Sequence, residues 1–187
     1  MMLRMDFEQV LRSVLAAFAK EKIRYAAIGG FALGALGVPR ATSDFDILVH
    51  RDDLDRLDQT LVALGYRREI RMENVSHYRH PQASWGGIDV LHAFRKPSLA
   101  MLERAQSRPV FGQSQHIMVL QPEDIIGLKV QAMANNPIRR PQDQADIEAV
   151  MTRHGRQLDW DRIQEYYEVF DLGQDARQLR TRFAHAQ

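Results

Sequence analysis

Apolar residues recur at helical spacing through Phe7, Val10, Leu11, Val14, Leu15 and Phe18, so residues 6–20 are predicted to form an amphipathic helix with one buried face. Residues 24–28 (RYAAI) then read as a short buried strand stopped by Gly29-Gly30, and FALGALG reads as a short helix closed by Gly37. The stretch 44–49 (DFDILV) is rich in strand formers. Asp52 or Asp53 is placed to cap the following helix, which carries Leu54, Leu57, Leu61 and Leu64 and ends at Gly65. Strands are predicted at 66–72, 76–80 and 88–94, the last entered through Gly86-Gly87. A helix near 98–105 and a strand at 116–120 follow, after which Pro122 opens a helix running through Ile125, Ile126, Lys129, Val130 and Met133. From there the pattern is helical: 142–153, 159–170 and an Arg-rich tail, with Pro137 and Pro141 punctuating a loop.

This order predicts an α+β fold, a mixed sheet with helices over one face. The core is expected at 1–120, with 121–187 as a helical segment packed on it. A chain of 187 residues with 45% hydrophobic content supports one main core. Lys and Arg number 25 against 24 Asp and Glu, so there is no pervasive basic field and any contact with a polyanion must be local. Cysteine is absent, which removes disulfides, thiolate nucleophiles and Cys-type zinc sites and suits a reducing interior. No apolar run approaches the ~20 residues needed to span a bilayer, and MMLRMDFEQV reads as a helix opening rather than a signal peptide. A soluble, cytoplasmic protein without a membrane partner is the expectation. The histidines show no metal spacing and are expected to be structural or exposed, and Met118, Met133 and Met151 are expected to fill the core.

The chemistry concentrates in Asp44-Phe45-Asp46. Side chains alternate along a strand, so the two carboxylates share one face while Phe45, Ile47 and Val49 share the other. Such close carboxylates repel and are comfortable only when solvated or neutralised by a cation; hard oxygen ligands on a rigid element suit Mg²⁺. In Gly87-Ile88-Asp89-Val90 the same alternation points Asp89 away from the buried side, so three carboxylates converge if the two strands are neighbours. Upstream, Gly29-Gly30 lets backbone approach a phosphate closely at the opening of a helix. The residues between Gly30 and Asp44 (31–43) allow a return loop to carry Arg40, Thr42 and Ser43 to the same mouth, where Arg40 can hold a phosphate bidentately. Lys129 is either a substrate contact or a semi-buried ion-pair partner of Asp143 or Asp146; those aspartates, at i and i+3, also suit a helix N-terminal turn. The clusters Arg67-Arg68-Glu69-Ile70-Arg71, Arg139-Arg140 and Arg177-Arg180-Arg182 are candidate nucleic-acid contacts or ordinary solvated faces.

A glycine pair, about a dozen residues, Asp-x-Asp and a later lone Asp on a strand resemble the signature of the nucleotidyltransferase (polymerase-beta-like) superfamily. More narrowly, GGFALGALGVPRATSDFDILV looks like the minimal nucleotidyltransferases and the AbiEii-type toxin components of abortive-infection (type IV toxin–antitoxin) systems. The stretch PEDIIGLKVQAMANNPIRRPQDQADIEAV is similar to their helical segment, with Gln142 where many relatives carry a basic residue. The resemblance spans about residues 23–151. It implies an enzyme that moves a nucleoside monophosphate from an NTP such as ATP onto a hydroxyl. Gly29 and Gly30 would cradle the triphosphate, Asp44 and Asp46 would bind two Mg²⁺ ions, and Asp89 would help bind the ion that activates the acceptor. By analogy Lys129, with Asp143 and Asp146, serves the triphosphate or the acceptor. The acceptor implied first is an RNA 3′ end or a protein hydroxyl, with an antitoxin as partner. The alternatives are a small antibiotic-type acceptor, or a non-catalytic module that binds nucleotide or a partner protein.

Overall fold

The computed structural model describes residues 5–185 and divides into two compact units. The helix-opening reading of Met1 to Arg4 lies outside the described residues. The first unit runs up to Ala35 and resumes over Arg40–Leu120; the second comprises Leu36–Pro39 and the chain from Gln121 onward. Among the described residues no helix is long and apolar enough to cross a membrane.

The first unit holds a mixed sheet. Its strands are β1 (Tyr25–Ala27), β2 (Asp44–His50), β3 (Arg67–Arg71), β4 (Val75–Arg79), β5 (Gly87–Ala93), β6 (Gln106–Val110) and β7 (Gln115–Val119). They lie in the order β3-β4-β5-β2-β1-β7-β6. β2 runs parallel to β5 and antiparallel to β1, β4 runs antiparallel to β5, and β1 runs parallel to β7. Four helices accompany it: α1 (Phe7–Lys20), α2 (Gly29–Ala35), α3 (Leu54–Ala63) and α4 (Lys96–Arg104).

α1 forms for the reason its pattern suggests: Val10, Leu11, Val14 and Phe18 make one buried stripe, and Asp6 accepts a hydrogen bond from the Gln9 amide at 3.1 Å as its N-cap. On β2, Phe45, Ile47 and Val49 are fully buried, and Phe45 meets Phe31 of α2 edge-on at 5.7 Å. Truncating a core aromatic such as Phe45 to Ala is worth about 3–5 kcal/mol. Asp53 does not cap α3 with its side chain. Its fully buried carboxylate instead accepts from the Arg24 amide, Nε and Nη2 at 2.8–2.9 Å and from Arg56. The Arg24 hydrogen bond outweighs burial and holds the Asp53 carboxyl below its ordinary value. β6 was not anticipated: QSRPV has no apolar alternation and contains a proline, which an edge strand tolerates.

The second unit is helical: α5 (Pro122–Asn135), α6 (Arg140–His154), α7 (Trp160–Glu168) and α8 (Gly173–Phe183). Ile126, Val130, Ile147, Val150, Met151 and Ile163 are fully buried in its core. A methyl group at Gly127 would fall 2.6 Å from Cδ2 of Tyr166, so glycine is what lets α5 and α7 approach. The Tyr166 hydroxyl donates to Asp124 Oδ1 at 2.6 Å, and the Asp159 amide to Glu123 Oε1 at 2.8 Å. His154 Nε2 donates to the Leu36 carbonyl at 2.9 Å, tying Leu36–Pro39 to α6.

Candidate active site

The register of β4, β5 and β2 sets two rows of side chains on one sheet face. Arg79 pairs with Gly87 and Gly87 with Asp44; two residues along, His77 pairs with Asp89 and Asp89 with Asp46. Neighbouring strands lie about 4.8 Å apart, so this register puts Asp44, Asp46 and Asp89 on one face of adjacent strands. All three are half-buried, while Phe45, Ile88 and Tyr78 of the same strands are buried on the opposite face.

Hydrogen bonds fix these groups individually. Ser43 Oγ donates to Asp44 Oδ2 at 2.9 Å, and Thr42 Oγ1 to the Asp44 carbonyl at 3.0 Å. His77 Nδ1 donates to Asp89 Oδ1 at 2.9 Å, since a carboxylate only accepts. Arg79 Nη1 donates to the same oxygen at 2.8 Å and lies 3.8 Å from Asp44 Oδ1. Burial works against the Arg79 charge, but the hydrogen bond to Asp89 and the attraction of Asp89, Asp44 and Glu69 together raise its pKa. His77 and Arg79 are the site residues that sequence reasoning missed. The alternation of VSHYR, with Ser76 and Tyr78 buried and His77 and Arg79 opposite, was the available signal, but it becomes decisive only once β4 is registered on β5.

The glycine pair meets this face closely. It is not a turn ahead of the helix but the first residues of α2, with Gly29 at φ +65°. A methyl at Gly29 would lie 2.0 Å from Asp46 Oδ2, and one at Gly30 would lie 2.8 Å from Thr42 Cβ and 3.5 Å from Arg40 Cγ. The loop after α2 therefore returns Arg40 and Thr42 to Gly30, as the spacing suggested. Beside them a cavity of about 670 Å³ is walled by Phe7, Phe31 and Phe111, with Arg40, Thr42 and Gln113 adding polar groups. It is open to solvent over much of its extent.

Lys129, Asp143 and Asp146 belong to the second unit and bind one another. Lys129 Nζ lies 3.0 Å from Asp143 Oδ1 and 2.6 Å from Asp146 Oδ2, with the three side chains only 12%, 1% and 8% exposed. Gln142 Nε2 donates to Asp146 Oδ1 at 3.1 Å, so the residue that departs from the basic pattern still serves that carboxylate.

For a divalent cation the donor set is suitable: hard carboxylate oxygens from adjacent strands, with one cationic group, the Arg79 guanidinium, already drawn between Asp44 and Asp89. Among the described residues no group of three or more His, Cys, Asp or Glu side chains is placed to hold a metal ion by itself. Mg²⁺ needs none, because it characteristically binds through one or two carboxylates plus substrate phosphates and water.

A sheet with paired carboxylates facing a glycine-led helix defines a nucleotidyltransferase fold, and comparison with known proteins agrees. The family model described as uncharacterised nucleotidyltransferase matches residues 4–184, so the chain belongs to that family. No curated protein matches it in sequence at a significant level. Among solved structures it is similar to the antibiotic-resistance factor ANT(2'')-Ia, at 15% identity and a TM-score of 0.64 over 95% of this chain and 99% of that one. The lincomycin-bound lincosamide antibiotic adenylyltransferase LnuA follows at 18% identity and 0.54, over 76% and 95%. An antigenic nucleotidyltransferase-like protein from Paracoccidioides brasiliensis matches at 16% identity and 0.58, over 98% and 95%. At these identities the likeness is one of fold.

Proposed function

We propose that the chain catalyses Mg²⁺-dependent transfer of a nucleoside monophosphate from an NTP to a hydroxyl of a small-molecule acceptor. The observation that carries this reading is the placement of Asp44, Asp46 and Asp89 on one face of neighbouring strands, with Gly29 packed against Asp46. Bare backbone at Gly29 and Gly30 leaves room for the triphosphate, and Arg40 and Thr42 flank it. Divalent cations held by Asp44, Asp46 and Asp89 would neutralise the triphosphate and polarise the α-phosphorus. The acceptor oxygen forms a bond to that phosphorus, the bond to the β-phosphate oxygen breaks, and pyrophosphate leaves. The Asp89 carboxylate, held in place by His77, is the nearest base to take the hydroxyl proton.

Electrostatics favour a small acceptor over RNA. Arg68 pairs with Asp58 at 2.8 Å, Arg71 with Asp55 at 3.0 Å, Arg139 with Asp143 at 3.3 Å and Arg140 with Asp175 at 3.7 Å. Arg180 pairs with Asp161 at 2.8 Å and Arg182 with Glu148 at 3.0 Å. Six of the eight arginines in the three clusters thus face a carboxylate, which weakens the unbalanced positive field that phosphate backbones need. The aromatic cavity beside Gly30 and the two antibiotic-linked structures of similar fold point the same way.

The test is pyrophosphate release from each NTP with Mg²⁺, against a panel of hydroxylated small molecules, total RNA and protein, with the product identified by mass. A nucleotidylated small molecule is the expected product. A nucleotidylated product found only in RNA or protein restores the macromolecular acceptor, and binding of NTP without any product supports a non-catalytic module.

A further inference from the structure

The proposed metal site already contains a cation of its own. Arg79, Gly87 and Asp44 form one register row across three strands, and the middle position carries no side chain. A methyl at Gly87 would fall 1.9 Å from Arg79 Nη1 and 2.6 Å from Asp44 Oδ1. The guanidinium therefore crosses the space above Gly87, donating to Asp89 Oδ1 at 2.8 Å and standing 3.8 Å from Asp44 Oδ1. Any larger residue at position 87 would close this route, because Cβ alone overlaps the path. With Asp89 engaged by His77 as well, two of the three carboxylates meet Arg79 or His77 before any metal arrives.

We infer that Arg79 is a resident counter-ion of the carboxylate cluster that competes with divalent metal, so that metal binds well only together with the triphosphate. This rests on the metal-site reading above. Carboxylates on neighbouring strands of one half-buried face repel, and the guanidinium beside Asp44 and Asp89 relieves that repulsion. A divalent ion between Asp44 and Asp89 must displace the guanidinium or bind beside its charge, and either lowers its affinity. The triphosphate changes the balance twice, by supplying further oxygen ligands to the metal and by offering the displaced guanidinium an anion. Arg79 is thus a positioning and selectivity residue, acting on the ligands rather than on the reacting atoms.

The test is Mn²⁺ titration without nucleotide, read by electron paramagnetic resonance, on wild type, Arg79→Gln and Arg79→Lys, alongside the melting temperature of each metal-free protein. Arg79→Gln is expected to bind Mn²⁺ about tenfold more tightly or better, the loss of one close like charge being worth at least that factor, and to melt lower without metal. Arg79→Lys keeps the charge on a shorter donor set and should fall between; it also serves if Arg79→Gln folds poorly. Mn²⁺ affinity unchanged or weaker in these variants overturns the inference while leaving the metal site standing, provided wild type binds Mn²⁺ with a non-hydrolysable NTP and Asp46→Asn does not. If no protein binds Mn²⁺ even with the NTP analogue, both the inference and the metal-site reading fall.

Discussion

Gly29→Ala should damage stability and ligand binding together, and the size of each effect follows from the backbone. Gly29 has φ +65°, a conformation that costs an L-residue about 1–2 kcal/mol. The added methyl would stand 2.0, 2.7 and 2.8 Å from Oδ2, Cγ and Cβ of Asp46, where carbon contacts normally sit at about 3.5–4.0 Å. Asp46 is on a central strand whose backbone is held by β1 and β5, and its carbonyl accepts from the Ile28 amide at 2.9 Å; rotation can move its carboxylate aside but not Cβ, so the Gly29 backbone must shift as well. Strain and displacement together give a loss of roughly 2–3 kcal/mol. For a chain of this size that lowers the melting temperature by about 4–12 °C. Moving a metal carboxylate by an ångström should also weaken Mg²⁺-dependent NTP binding and cost about 100-fold in turnover. Gly34→Ala is the control: it lies in the same helix, nothing stands within 4 Å of the added methyl, and stability should hold or rise by up to about 1 kcal/mol. Circular-dichroism melting and calorimetric NTP titration read both effects. A Gly29→Ala protein that melts and binds like wild type would refute the close approach of Gly29 to Asp46.

Two other perturbations separate structural from functional charges. Lys129→Met removes the cation that the buried carboxylates of Asp143 and Asp146 share; urea denaturation should show a loss of about 3 kcal/mol, partly restored by adding Asp143→Asn and Asp146→Asn, and a change below about 0.5 kcal/mol would contradict the ion triad. His92 donates from Nδ1 to the Glu73 carbonyl and accepts at Nε2 from the Ser76 hydroxyl, each at 2.9 Å, and burial pushes its pKa below the ordinary 6.5. As pH falls through that value the unfolded imidazole gains a proton before the folded one, so stability drops on acidification, with a slope from this residue of at most about 1.4 kcal/mol per pH unit. Denaturation midpoints between pH 7.5 and 5.5 should show that extra slope in wild type and lose it in His92→Gln; equal slopes would show that His92 charges normally in the folded state.

The parts of the fold legible in the sequence are those whose burial leaves a period. α1 buries one face and β2 buries one face throughout and the other at Leu48, so Val10, Leu11, Val14 and Phe18, or Phe45, Ile47 and Val49, mark them directly. β6 left no such trace because an edge strand with exposed and half-exposed residues has no apolar period to show. The same division runs through the candidate site. Asp44 and Asp46 are two apart on one strand, so their shared face is a local property of the chain. The pairing of Asp89 with Asp46 and of His77 with Asp89 depends on strand order and register, which no local window contains. That is why the sequence did not single out Arg79, and why the arginine clusters read equally as nucleic-acid contacts or solvated faces until Asp58, Asp55, Asp175, Asp161 and Glu148 were found beside them.

The central claim is that Asp44, Asp46 and Asp89 form a divalent-metal site for an NTP. Calorimetric titration of non-hydrolysable analogues of the four NTPs, with and without Mg²⁺, on wild type and on the Asp44→Asn/Asp46→Asn protein addresses it most directly. The account predicts Mg²⁺-dependent binding to wild type that disappears in the double variant while the melting temperature stays at or above that of wild type, since two mutually repelling charges are removed. Equal binding to both folded proteins, or Mg²⁺-independent binding to wild type, would contradict it.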